Sequence, residues 1–140
     1  MDIDQARHWA TGRRNGVLVT IREDGRPQSS DIAYAIDGDD FLISVTNTRA
    51  KTANMRRDNR VVLHLSEPSA WSYVSFDGTV ELTPVTEDPQ DPTADQLVAY
   101  YRAVSGAEHP DWSEYRAAMV ADRRLLARFT PQSVVGQINT

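Results

Sequence analysis

Residue types and spacing that could do chemistry are densest between Thr46 and Arg60, in the run Thr46-Asn47-Thr48-Arg49-Ala50-Lys51-Thr52-Ala53-Asn54-Met55-Arg56-Arg57-Asp58-Asn59-Arg60. Residues 48–60 hold five cations, Arg49, Lys51, Arg56, Arg57 and Arg60, against Asp58 alone, a net +4 within a chain of formal charge −5. The segment leaves a β-like run, Phe41 to Val45, opens with three small polar residues able to cap a helix, and continues as a helix of about two to three turns. That placement puts Arg49 and Lys51 in the first turn after Thr48, where the helix macrodipole already presents partial positive charge and disfavours cations. An anion reverses the balance: free N–H groups at a helix start, a hydroxyl cap and two cations make a phosphate cradle. The alternative reading of the same charges is a solvated basic face. Lys51 is the only lysine among fifteen basic residues, and its compact ammonium suits a point contact to phosphate or to a ring carbonyl.

Two further groups could meet a flat ligand. On an extended strand Trp71 and Tyr73 share one face, where they either pack in a core or form a wall for a ring system. Gln28 and Ser30 open a strand whose same face carries Ile32 and Tyr34; they lie at a solvated strand end or hydrogen-bond a ring edge. Other chemistry lacks its pattern. His8, His64 and His109 sit in different elements with no i, i+4 pair and no Cys/His cluster, so no metal site is expected. There is no Gly-x-Ser-x-Gly, no Walker-type loop and no Gly-x-Gly-x-x-Gly. Asp39 and Asp40 in a turn read as solvation.

The elements that must position these residues follow from periodicity. Residues 2–12 suggest an opening helix that stops at Gly12. The period then becomes two over Val17 to Ile21, turns at Asp24-Gly25, and returns as one strand from Gln28 to Ile36. With Phe41 to Val45 this predicts a three-stranded meander before the basic helix. Strands resume at Arg60 to Leu65 and Trp71 to Leu82, the second broken at Asp77-Gly78 by a bulge or bend. A proline-rich acidic connector, 83–95, leads to Asp91-Pro92 as N-cap and first helical residue. That helix runs to Gly106, another starts near Pro110-Asp111 with Trp112, Tyr115 and Met119 on one side, Leu125 to Phe129 closes as a strand, and 133–136 forms a tail. Six strands with few helices, the latter between strands five and six, predict a mainly β, small antiparallel barrel rather than a parallel α/β sheet.

A length of 140 residues predicts a single domain, 1–140, small for an enzyme that must enclose a cofactor unless a second copy completes the site. The absence of cysteine excludes disulfides and a thiol nucleophile and agrees with a reducing compartment. No apolar h-region or run of membrane-spanning length is apparent, so the chain reads as soluble and cytoplasmic, with no membrane partner. An acidic total with one basic island argues against nucleic acid and for a small anionic ligand.

Taken together, Gly16-Val17-Leu18-Val19-Thr20-Ile21, Asp24-Gly25-Arg26-Pro27-Gln28, Arg49-Ala50-Lys51-Thr52-Ala53-Asn54, Trp71-Ser72-Tyr73, Asp111-Trp112-Ser113-Glu114-Tyr115-Arg116 and Asp122-Arg123-Arg124 resemble the flavin/deazaflavin-binding split β-barrel superfamily of the pyridoxamine phosphate oxidases. Within it the chain most resembles the coenzyme F420 branch, chiefly through Arg-Ala-Lys-Thr and Asp-Trp-x-x-Tyr-Arg. The resemblance implies a six-stranded split β-barrel and a homodimer with two sites at its interface. It implies that Arg49 and Lys51 hold the cofactor phosphate with Thr46, Ala50 and Asn54, that Gln28 and Ser30 line the ring or its side chain, and that Trp71 and Tyr73 pack on the cofactor from the partner subunit. The implied reaction is hydride transfer from reduced deazaflavin to a small unsaturated organic acceptor, with Tyr73 or a water as proton donor. FMN on the same fold, and a non-catalytic F420 carrier, are the rival implications. Asp31 departs from the amide residue expected beside Ser30 and bears on substrate preference.

Overall fold

The computed structural model describes residues 1–139. After helix α1 (Ile3–Ala10) come the hairpin β1 (Asn15–Ile21) and β2 (Pro27–Ala33), the pair β3 (Ala35–Asp37) and β4 (Asp40–Thr46), helix α2 (Ala50–Arg57), and the long strands β5 (Arg60–Glu67) and β6 (Ser72–Leu82). A 3-10 turn, Pro68–Ala70, joins β5 to β6; helices α3 (Pro92–Ser105) and α4 (Trp112–Ala121) follow, and β7 (Arg124–Gln137) closes the chain. All seven strands form one antiparallel sheet in the order β2-β1-β5-β6-β7-β4-β3. No helix among the described residues is long and apolar enough to cross a membrane.

The sheet curls into a half-barrel around its inward, apolar face. Leu18 of β1, Val61, Leu63 and Leu65 of β5, Val74 and Phe76 of β6, and Ala127 and Phe129 of β7 all point inward and are buried. Phe41 is the hub, with ring centroids 5.3 Å from Tyr34, 5.2 Å from Phe76 and 6.0 Å from Phe129. Each such aromatic pair adds about 0.5–1.5 kcal/mol beyond its buried area. Helix α1 seals one end through Ala6 and Ala10. Helices α3 and α4 sit outside the barrel, where Leu97, Val98 and Tyr115 pack on Leu126. Their predicted starts hold: Asp91 accepts from the Ala94 amide, Asp111 from the Glu114 amide, and Gly106 takes the left-handed conformation after α3.

The architecture departs from expectation in three places. There are seven strands, not six, because the predicted strand from Gln28 to Ile36 breaks at Tyr34. The Tyr34 amide donates to the Arg14 carbonyl at 2.8 Å and its hydroxyl to the Ala10 carbonyl at 2.7 Å, so the chain turns there under α1. As a result β2 and β3 lie at opposite edges of the sheet, and the predicted meander does not form. Residues 133–136, expected as a tail, extend β7 instead, because β6 is long enough to pair with them as far as Tyr73↔Gln137. Trp71 precedes β6 rather than opening it, in the left-handed conformation (φ 50°, ψ 38°) after the 3-10 turn.

The bulge at Asp77/Gly78 was legible, and its glycine has a steric reason. A Cβ on Gly78 would collide with the Thr130 carbonyl and the Phe129 ring. Gly78→Ala is expected to cost about 1–3 kcal/mol of unfolding free energy, the usual range for overpacking. Gly12→Ala, where nothing lies within 4 Å, is expected to leave it within about 0.5 kcal/mol. Urea denaturation of both variants checks the contrast.

Candidate functional site

Six of the predicted residues meet in one cleft. Gln28 and Ser30 of β2, Thr46 at the end of β4, and Arg49, Ala50 and Lys51 at the start of α2 line a cleft of about 340 Å³ with Val45 and Arg124. Arg124 reaches the cleft because β4 and β7 pair in a register that sets it beside Thr46. Residue types alone missed it. The signal available was its place as the last charged residue before the apolar run Leu125-Leu126-Ala127, which made it the mouth of a strand.

The helix start differs from the predicted one. Helix α2 begins at Ala50, so Arg49 is its N-cap, in extended conformation and with no side-chain cap. Two of the polar residues before it contact the helix in other ways. The Thr46 carbonyl accepts from the Thr52 hydroxyl at 2.7 Å, and the Asn47 side chain accepts from Arg56 at 2.8 Å. No hydroxyl cap forms, and no cap side chain takes the N–H groups of the first turn. Of the two nearby cations, Lys51 lies in that turn and Arg49 just before it.

The charges of the segment divide in two. Arg56 binds Asn47, Arg57 donates to the Ile21 carbonyl at 2.9 Å and to Asn54 at 2.8 Å, and Arg60 pairs with Asp58 at 2.7 Å. Arg49 and Lys51 make no ion pair among the described residues. Arg124 makes two long contacts, 3.9 Å from its Nε to Asp122 and 3.5 Å from Nη1 to the Ser44 hydroxyl, and that buried Nε has no hydrogen-bond partner. Burial and then the proximity of Arg124 and Arg49 push the Lys51 pKa below its ordinary value. Three cations thus converge with only the distant Asp122 carboxylate to offset them, an arrangement that a multivalent anion stabilises.

Asn54 belongs behind the cleft rather than in it. Its Nδ2 donates to the Thr20 hydroxyl at 3.1 Å and to Gln28 Oε1 at 3.2 Å, while its Oδ1 accepts from Arg57. Gln28 is fixed by this contact and offers its remaining NH₂ to the cleft. Trp71 and Tyr73 are neither core nor part of this cleft: Trp71 is 79% exposed and Tyr73 39%. Tyr73 stacks on His64 at 5.6 Å, on the outward side of the sheet. Asp31 is exposed and pairs with Val17 on the face opposite to Ser30, so its carboxylate does not enter the cleft.

Comparison with known proteins fits this geometry. The pyridoxamine 5'-phosphate oxidase family profile matches residues 3–136. The chain belongs to that family. Among solved structures, a conserved hypothetical protein from Mycobacterium tuberculosis is similar at TM-score 0.78 and 22% identity over 99% of this chain and 85% of that one. An F420 reductase is similar at TM-score 0.63 and 23% identity, over 87% of this chain and 89% of the other. A heme binding protein from Mycobacterium smegmatis gives TM-score 0.70 and 20% identity, over 96% of this chain and 53% of that one. At these identities the likeness is one of fold.

The cleft makes a pH prediction for this family member. Sulfate keeps its charge through the alkaline range, so a change in its affinity there reports the protein. Affinity is expected to fall as pH rises through the lowered Lys51 pKa, below the ordinary 10.5, because the neutral amine no longer attracts the anion. In Lys51→Arg the affinity should stay flat over the same window. Calorimetric titrations across pH read both, and a flat wild-type profile would remove Lys51 from the contact.

Proposed function

We propose that this family member is a coenzyme F420-dependent oxidoreductase, a cytoplasmic homodimer that reduces a small unsaturated organic acceptor. The observation that carries the reading is the set of three cations, Arg49, Lys51 and Arg124, offset only by the 3.9 Å contact of Arg124 to Asp122, at an uncapped helix start. A phosphate fits that set: the guanidinium groups give paired donors, Lys51 a point charge, and the first-turn amides fixed N–H groups. The F420 reductase that shares the fold and the Arg-Ala-Lys-Thr and Asp-Trp-x-x-Tyr-Arg segments add support.

When bound, the deazaflavin supplies two-electron hydride chemistry. The chain's own part is to bind, orient and exclude water. Arg49, Lys51 and Arg124 would hold the phosphate, Ser30 and the Gln28 NH₂ would hydrogen-bond the ring or its side chain, and Asn54 would keep Gln28 in place. No carboxylate or imidazole lines the cleft, so proton delivery falls to water or to a group from a second copy. The outward sheet face supports a dimer. Val19, Val62, His64, Tyr73 and Val135 lie on it, partly or largely exposed, with Ser75 and Asp77 between them, and large apolar side chains left exposed together on a sheet face suit an interaction surface. Such packing would let Tyr73 and Trp71 of one subunit meet the cofactor of the other.

The family description favours one second reading, FMN in place of the deazaflavin, since the same cradle would hold its phosphate. Titration with F420 and FMN side by side separates the two. The expected result is F420 binding at about micromolar or tighter, with FMN weaker, and loss of about ten- to hundred-fold in Lys51→Ala or Arg124→Ala, the value of one charge-assisted hydrogen bond. Preference for FMN would transfer the protein to the flavin branch. Tight F420 binding without oxidation of the reduced cofactor by any of a broad acceptor panel would make it a carrier, and binding of neither would sink the proposal.

A further inference from the structure

A second, larger cavity, about 630 Å³, lies away from the anion cleft, on the outward side of β3, β4 and β7 beneath one flank of α3. Its floor is Ala35, Leu42 and Leu126. Helix α3 lends Gln96, Ala99, Tyr100 and Ala103, spaced i, i+3, i+4 and i+7 and therefore on one flank. The opposite flank explains the gap. Ala94, Leu97 and Val98 are packed down, with Leu97 and Val98 against Tyr115 and Leu126, and the small Ala99 and Ala103 leave the groove open. The Tyr100 ring stands at the inner end, fixed by its hydroxyl donating to the Ala33 carbonyl at 2.9 Å.

The mouth is acidic. Arg128 pairs with Asp37 at 2.7 Å and with Asp40 at 3.1 Å, so its charge is already matched. Glu81 stands opposite Arg128 in the β6–β7 register yet makes no hydrogen bond or ion pair among the described residues. The lining itself carries Asp37 and Glu81 against Arg128, a net −1 over an apolar floor, and Asp40, which lines a neighbouring cavity, further offsets Arg128. The cavity falls within the usual size range of ligand pockets, about 300–1,000 Å³. A cation with an apolar body matches both features. The sign is opposite to that of the three-cation cleft, so phosphorylated cofactors are repelled here.

We propose that this groove is a binding site for a small organic amine, its ammonium held by Glu81 and Asp37 and its apolar body lying on Leu42, Leu126 and Tyr100. The site stands independently of the cofactor reading.

The test uses tryptamine as the probe and indole-3-propionate as a counterpart of similar size and opposite charge, followed by NMR on methyl-labelled full-length protein. Tryptamine should shift the Leu42, Ala99, Ala103 and Leu126 methyl signals saturably, and indole-3-propionate should not. Glu81→Gln is expected to weaken binding about three- to tenfold, and Ala99→Leu, which fills the groove at an exposed helix position, to abolish it. Unchanged core methyl signals would confirm that both variants fold. Lys51→Ala should leave tryptamine binding as it was. Equal or tighter binding of the carboxylate, indifference to Glu81→Gln, or shifts confined to the β1–β5 face would each overturn the assignment.

Discussion

Strand β7 pairs with β6 on one side and with β4 on the other, and both the core and the anion cleft depend on that double pairing. Toward β6 it extends ten paired positions and carries the bulge at Gly78 that bends the sheet. Toward β4 it sets Phe129 beside Phe41, the hub of the core, and at the other end sets Arg124 beside Thr46. One register therefore fixes the aromatic cluster and the third cation of the cleft together. A slip of one residue would turn Phe129 outward and Arg124 away from α2. Fold and candidate site are in this sense one constraint.

The same geometry works against the helix it serves. Helix α2 has eight residues, no acidic group in its first turn and no side-chain cap, so by local rules it is a poor helix. What holds it is tertiary. Met55 enters the core, Thr52 bonds back to Thr46, and Asn54 ties the helix to β1 and β2 through Thr20 and Gln28. Arg57 reinforces the same network from the C-terminal end, through Ile21 and Asn54. The helix is thus anchored by its middle and its end, which frees its start to carry uncompensated positive charge. Local disagreement with propensity, supported from elsewhere, is the pattern expected of a functional segment.

Much of this was legible in the sequence, and the misses share a cause. Alternation found the extents of β1, β5 and β6, and residue chemistry found the Asp77-Gly78 bulge, the Asp91-Pro92 helix start and the Gly106 stop, because each is governed by neighbours in sequence. Tyr34 breaks a strand through bonds to Arg14 and Ala10, twenty residues or more away, and nothing in the local alternation marks it. The helix starts at Ala50 with Arg49 in extended conformation at the cap, a choice that the three small polar residues before it do not reveal. Arg124 joins Lys51 only through strand pairing across the sheet. The sequence already set Arg49 and Lys51 apart by their place at the helix start; hydrogen bonding adds that Arg56, Arg57 and Arg60 serve the fold.

Trp71 extends that logic to a surface outside the chain. A bulky residue rarely adopts positive φ, and such backbone strain costs on the order of 1–3 kcal/mol. Here it is held in place from the C-terminal segment: Gln137 and Asn139 donate side-chain amide hydrogens to the Trp71 carbonyl at 2.8 and 2.6 Å. The indole gains nothing from this within its own subunit, since it is 79% exposed. A strained and firmly bonded backbone that presents a large aromatic to solvent is poorly explained by the stability of the monomer. It is explained if the indole meets a second copy across the adjoining apolar face of Tyr73, His64 and Val135, the packing that would bring an aromatic wall to a cleft that has none of its own.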